Sequence, residues 1–144
     1  MSRYLGEDAR YAADSDALIR PELTPAEISQ LSGLLSAAPL GQVSPDQITA
    51  NQNNYPLPEE FLIRLSSDAA RTITGFAGAR PELTIICNVG AQNIILAHQN
   101  AGSTASNRII SPTGADYTLN ANESAHVVYD FTSLRWRITA GTGA

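Results

Sequence analysis

Metal binding or catalysis has few side chains to draw on in this chain: two histidines, one cysteine and fourteen acids among 144 residues. His98 and His126 have no Asp, Glu or Cys neighbour at a ligand spacing such as His-x-His, so no metal site is expected. Cys87 sits inside the apolar run from Leu83 to Val89, which suits a small buried thiol better than a nucleophile. Serine, histidine and aspartate all occur, but there is no Gly-x-Ser-x-Gly elbow to expose a nucleophile. No Gly-x-Gly-x-x-Gly or phosphate-loop pattern occurs either. Asp116, Asn120, Asn122 and Glu123 are rich in oxygen, yet they lack EF-hand spacing and read as turn chemistry. Glu59 and Glu60 form no acid/base pair. Tyr129 and Trp136 have the character of a sugar-stacking platform, but Trp136 alternates in step with Leu134 and Ile138, which assigns it to a core. No catalytic, cofactor-binding or metal-binding residue is therefore expected, and the chain reads as non-enzymatic.

Surface chemistry is more distinctive. All nine basic residues are Arg and none is Lys, against fourteen acids and a net charge of −5. An acidic chain has little to neutralise phosphates with, so nucleic acid is not an expected partner. There is no apolar run of roughly 18 residues to cross a membrane, and the acidic start from Met1 to Asp8 lacks the apolar stretch of a secretory signal. Arg64, Arg71, Arg135 and Arg137 fall on strand-like segments, where planar guanidinium groups suit bidentate pairing between subunits. Arg108 is placed in the same way.

Two segments with different grammar must position these residues. In the first, residues 1–60, one helix stands out. Thr24-Pro-Ala-Glu27 has the form of a capping box with Pro at the first helical position. Ile28, Leu31, Leu34 and Leu35 then share one face at helical spacing, and Ala38-Pro39 ends the run. Such a short helix does not stay folded in water unaided and needs a surface to lie on. Residues 39–60 hold Pro39, Pro45, Pro56 and Pro58 and an Asn/Gln cluster. They read as an extended linker that spans up to about 75 Å fully drawn out.

The second segment, residues 61–139, reads as β throughout, with about eight short strands and turn signals every 8–12 residues. That pattern predicts an antiparallel β-sandwich or jelly roll. On the third strand the alternation puts Ile85, Cys87 and Val89 on the core face. Residues 140–144 are expected to form a flexible tail. A β-body of this size has a stability margin of only about 3–5 kcal/mol. Ile86, Ile95 and Val128 lie opposite the expected core stripes, so a neighbouring subunit is expected to cover one face.

The string Leu65-Ser-Ser-Asp-Ala-Ala-Arg-Thr-Ile-Thr-Gly75 resembles the opening of a β-domain found in virion proteins of tailed bacteriophages. Later blocks follow in the same order: Asn88-Val-Gly90, Asn93 to His98, Ser103 to Arg108, Gly114 to Leu119 and Tyr129 to Arg137. The resemblance covers about residues 62–139 and carries no catalytic residues. It implies a homotrimeric module on the outer surface of a phage particle assembled in the host cytoplasm. The expectation is a capsid decoration (cement) protein whose residues 1–60 bind the major capsid protein and stabilise the shell, with Ile28, Leu31, Leu34 and Leu35 as the gripping stripe. The alternative is a fibre or receptor-binding module that contacts a host glycan or protein through the loops 75–81 and 101–107. Decoration is favoured because no heptad or repeat is present to build a fibre shaft.

Overall fold

The computed structural model describes residues 22–37, with side chains as far as Leu31, and residues 40–144. Helix α1 spans Pro25–Ala37. Nine strands follow among the described residues: β1 Gln42–Val43, β2 Leu62–Leu65, β3 Arg71–Ile73, β4 Thr84–Asn88, β5 Ile94–Leu96, β6 Ile109–Ile110, β7 Tyr117–Leu119, β8 Ser124–Asp130 and β9 Arg135–Gly141. The chain divides into a leader, residues 1–39, and a body, residues 40–144.

The leader's helix begins where the capping box puts it. Thr24 N donates to Glu27 Oε2 at 2.7 Å, and Glu27 N donates to Thr24 Oγ1 at 3.2 Å. These bonds satisfy two backbone donors at the helix start and hold the Glu27 carboxyl below its usual pKa.

The body is mostly β, but its strands do not form an antiparallel sandwich. One six-stranded sheet runs β1-β2-β4-β8-β9-β6, and a three-stranded sheet runs β3-β5-β7. The pairs β1–β2, β2–β4, β3–β5 and β6–β9 are parallel. Parallel neighbours need long connections, usually helical. Here irregular chain and strands of the other sheet supply them, and between the coils the turns are of nearly constant length. Gln42 pairs with Leu62, 20 residues on; Ile48 meets Ser67 after 19, and Gln52 meets Ile73 and Tyr55 meets Phe76 after 21. The next turn is 23 residues, from Leu62 to Ile85 and from Arg71 to Ile94. Residues 42–58, 62–76 and 84–98 therefore stack as three coils. The antiparallel strands β8 and β9 lie beyond the third coil.

Two expectations are corrected by this stacking. Residues 40–60 are not a linker but the first coil. Ile48, Tyr55 and Leu57 are buried in the body's one hydrophobic cluster, and Val43 packs against it. The prolines fit because a coil at the end of a stack is paired on one side only. The Asn-rich stretch is a polar corner: Asn54, at φ +48°, accepts from Thr104 N, Thr104 Oγ1 and Asn107 Nδ2 at 2.8–3.0 Å. Asn54 N donates to Ser103 Oγ, which also bonds Thr74 Oγ1 at 2.7 Å. Gly75 lies so close to this corner that a Cβ there would collide with Asn107 O and Ser103 Oγ. The second correction is at the C-terminus. Residues 142–144 are tied down: Thr142 N donates to Ser124 O, and Thr118 and Ala144 exchange both backbone bonds.

The core face of β4 also differs from expectation. Thr84, Ile86 and Asn88 point inward, and Ile85 and Cys87 lie on the outer face. Asn88 is fully buried and explains the register. Its Nδ2 donates to Gln92 O at 2.8 Å and Leu119 O at 2.9 Å, and its Oδ1 accepts from Gly90 N at 3.1 Å. This satisfies a buried amide and fixes the bend from β4 in one sheet to β5 in the other. The bend places β4 and β5, which follow each other closely in sequence, in different sheets.

Candidate interaction surfaces

Several groups capable of chemistry make structural contacts. Trp136 is buried, and its indole N–H donates to Phe76 O at 3.0 Å and Gly78 O at 3.1 Å. Its ring meets Phe76 and Tyr129 edge-on, at centroid distances of 5.5 and 5.4 Å, so no face is left for a sugar. His98 Nδ1 accepts from Ser111 N at 3.0 Å, and Asp116 accepts from the backbone N–H of His98 at 2.8 Å. Glu123 Oε2 accepts from Asn120 N and Nδ2. These bonds are turn-fastening contacts. Among the described residues no group of three His, Cys, Asp or Glu side chains comes together to hold a metal. No described helix is long and apolar enough to cross a membrane.

The cysteine is half-buried on the outer face of the large sheet, not in the core. Partial burial raises its thiol pKa, with Arg64 acting weakly the other way. Burial of this kind disfavours the thiolate and so the nucleophile. A small cavity of about 60 Å³ is lined by Leu57, Gly78, Arg80 and Trp136. It has room for a few waters rather than a substrate. Arg80 stacks over the Trp136 ring at 5.8 Å and donates to Pro58 O and Thr84 Oγ1, while its buried Nε has no partner.

The residues expected at subunit contacts scatter over several surfaces. Ile86 is fully buried within its own protomer and is not available to a neighbour. The pleat explains this: Asn88 has to face inward, so Ile86 does too. Arg71 makes a bidentate pair with Asp68 at 2.7 and 2.9 Å. Arg137 pairs with Asp130 at 2.7 Å. Arg64 is exposed on the outer face, opposite Cys87. Ile95 and Val128 are half-buried on the outer faces of the small and large sheets respectively. Arg135 donates to Gln99 Oε1 and to the carbonyls of Ser133 and Leu134. In the leader, Ile28 is 51% and Leu31 is 47% exposed, joined by Leu23 at 49%. The side chains of Leu34 and Leu35 lie outside the described residues.

Two surface features were not anticipated. The first is the β8–β9 hairpin, whose turn presents Phe131 and Leu134, both more than half exposed. Asp130 clamps this turn, accepting from Thr132 N, Ser133 N, Ser133 Oγ and Arg137 Nε. These donors push the Asp130 carboxyl far below the usual range. Leu134 sits at φ +52°, a costly conformation for a bulky residue. The second is an open groove of about 310 Å³ on the first coil, lined by Pro45, Ile48, Tyr55, Pro56 and Pro58 with Asp46 alongside. The misreading of residues 39–60 as a linker hid it. Comparison with known proteins finds no family model, no curated protein and no solved structure that matches the chain.

Proposed function

We propose that the chain is a non-enzymatic structural protein of a tailed-phage virion, a homotrimeric capsid decoration protein. Its β-body self-associates, and its leader binds the lattice of the major capsid protein and stabilises the shell. The observation that carries this reading is the exposed apolar stripe on a well-capped helix, with Ile28 and Leu31, and Leu23 just before the helix, each about half exposed. A capping box alone does not offset two wet apolar side chains on a 13-residue helix with a third just before it. The stripe has the character of a surface that becomes covered on assembly. With residues 40–60 folded into the body, the gripping segment shortens from residues 1–60 to residues 1–39.

The fibre reading draws on the loops 75–81 and 101–107, which are exposed at Gly78, Ala79 and Pro81 and at Thr104, Ala105 and Ser106 but anchored by the buried Phe76 and Ser103 and by the bond from Asn107 to Asn54. It draws less support because no large apolar side chain is exposed on them. Three leaders on one body would gain avidity without stronger individual contacts. The test adds the purified protein to phage shells lacking it and, in parallel, to host cells. Saturable binding to shells, at a ratio set by threefold or hexamer positions, supports decoration. Binding to cells with none to shells overturns it in favour of a receptor-binding module.

A further inference from the structure

The two unanticipated surface features are complementary in shape and charge. We infer that the β8–β9 hairpin tip of one copy, Phe131 and Leu134, inserts into the first-coil groove of a second copy beside Asp46. The inference rests on the self-association proposed above and assigns it a contact.

Size comes first. A groove of about 310 Å³ lies at the lower end of the range in which clefts enclose a small ligand, so it accepts an aromatic ring. Its lining combines the buried Ile48 and Tyr55 and three prolines with the polar Gln47, Thr49 and Gln52. Proline and tyrosine offer flat, rigid contact with little conformational entropy to lose.

Charge comes second. Asp46 is exposed and forms no ion pair among the described residues, and no cation lines the groove. At the hairpin, Asp130 and Arg137 neutralise each other. Arg135 is left bonded to neutral groups only, so the tip carries one uncompensated positive charge and the groove one negative charge. Such a match favours the contact and sets its orientation.

Rigidity comes third. The turn that exposes the two apolar side chains is held by four hydrogen bonds to Asp130. It keeps Leu134 in a left-handed conformation that glycine would adopt without strain. Such strain tends to persist where a side chain has a task, and a fixed knob loses little entropy on insertion.

Symmetry comes last. Knob and groove are different surfaces of the chain, so a contact between them across two copies is heterologous, a kind that closes into rings such as a trimer.

The test is sedimentation equilibrium on the full chain. Phe131→Ser and Asp46→Arg should each weaken self-association at least about tenfold. Leu134→Gly should do the same while leaving the thermal midpoint of the dilute protein unchanged or higher, which separates lost contact from lost fold. A head-to-tail contact also predicts complementation. F131S keeps its groove and D46R keeps its knob, so a mixture of the two should form a one-to-one dimer and nothing larger. The inference is overturned if F131S and L134G associate as tightly as the unaltered chain, if the mixture gives no dimer, or if the unaltered chain is monomeric. Shell binding is scored separately. F131S that stays trimeric and still binds shells removes this contact but leaves the decoration reading standing, whereas an unaltered trimer that ignores shells does the reverse.

Discussion

Asn88 shows how one polar side chain overrules an apolar pattern. The run Leu83-Thr-Ile-Ile-Cys-Asn-Val89 has apolar residues on both faces, so alternation alone does not choose between them. The choice is made by an amide that fastens three backbone groups at the bend between the sheets. No hydrophobicity scale credits asparagine with that role. Replacing Asn88 with Ala should cost about 3 kcal/mol by stranding buried backbone partners, read as a lower urea midpoint. Asp130 makes a second prediction at this scale. Its folded pKa is depressed below its unfolded value, so it contributes stability that is present above about pH 4. That contribution is lost as the pH falls through the folded value. Asp130→Asn should therefore lower stability at pH 7 and flatten the acid limb of a plot of urea midpoint against pH. An unchanged acid limb would show that the clamp contributes nothing. Trp136, in contrast, was legible as core from its alternation with Ile138, and the structure buries both.

At the scale of elements, the helix and most strands were readable because their signals are local. The capping box at Thr24, the alternation in β2 and the hairpin joining β8 to β9 all depend on residues close in sequence. Parallel pairing is different. Between the three coils it joins residues 19 to 23 positions apart, and its trace is a column such as Val43, Ile63 and Ile86, one apolar position per coil. Three coils without matching sequence give too few positions for that column to stand out. The first coil hides best, because its prolines and Asn/Gln residues look like a linker's. Its weight in the fold is nevertheless large. Removing residues 40–60 takes away Ile48, Tyr55 and Leu57 and uncovers Ile63, Ile73 and Phe76. At about 1.5–3 kcal/mol per buried side chain, the three alone approach the whole margin of a small domain. A chain beginning at Leu40 should unfold with the same cooperative transition as the full chain. A chain beginning at Phe61 should show no such transition by circular dichroism. Equal stability of the two truncations would mean that the first coil is not part of the body.

For the whole molecule, the candidate surfaces were only partly legible. Exposure of the helix stripe follows from spacing and length. The knob and groove depend on how distant coils stack, and Ile86, nominated from alternation, proved to be interior. The proposed division of labour between leader and body leads to a linked expectation. If copies associate through the body, the thermal midpoint should rise with protein concentration, because association stabilises the folded form by mass action. The chain beginning at Leu40 should show the same rise. The most direct measurement compares that chain with the full protein in co-sedimentation with purified phage shells. The account predicts that both have the same oligomeric mass and that only the full protein pellets with the shells, at a fixed ratio to the capsid subunits. Equal pelleting of the two, or pelleting of neither, would contradict it.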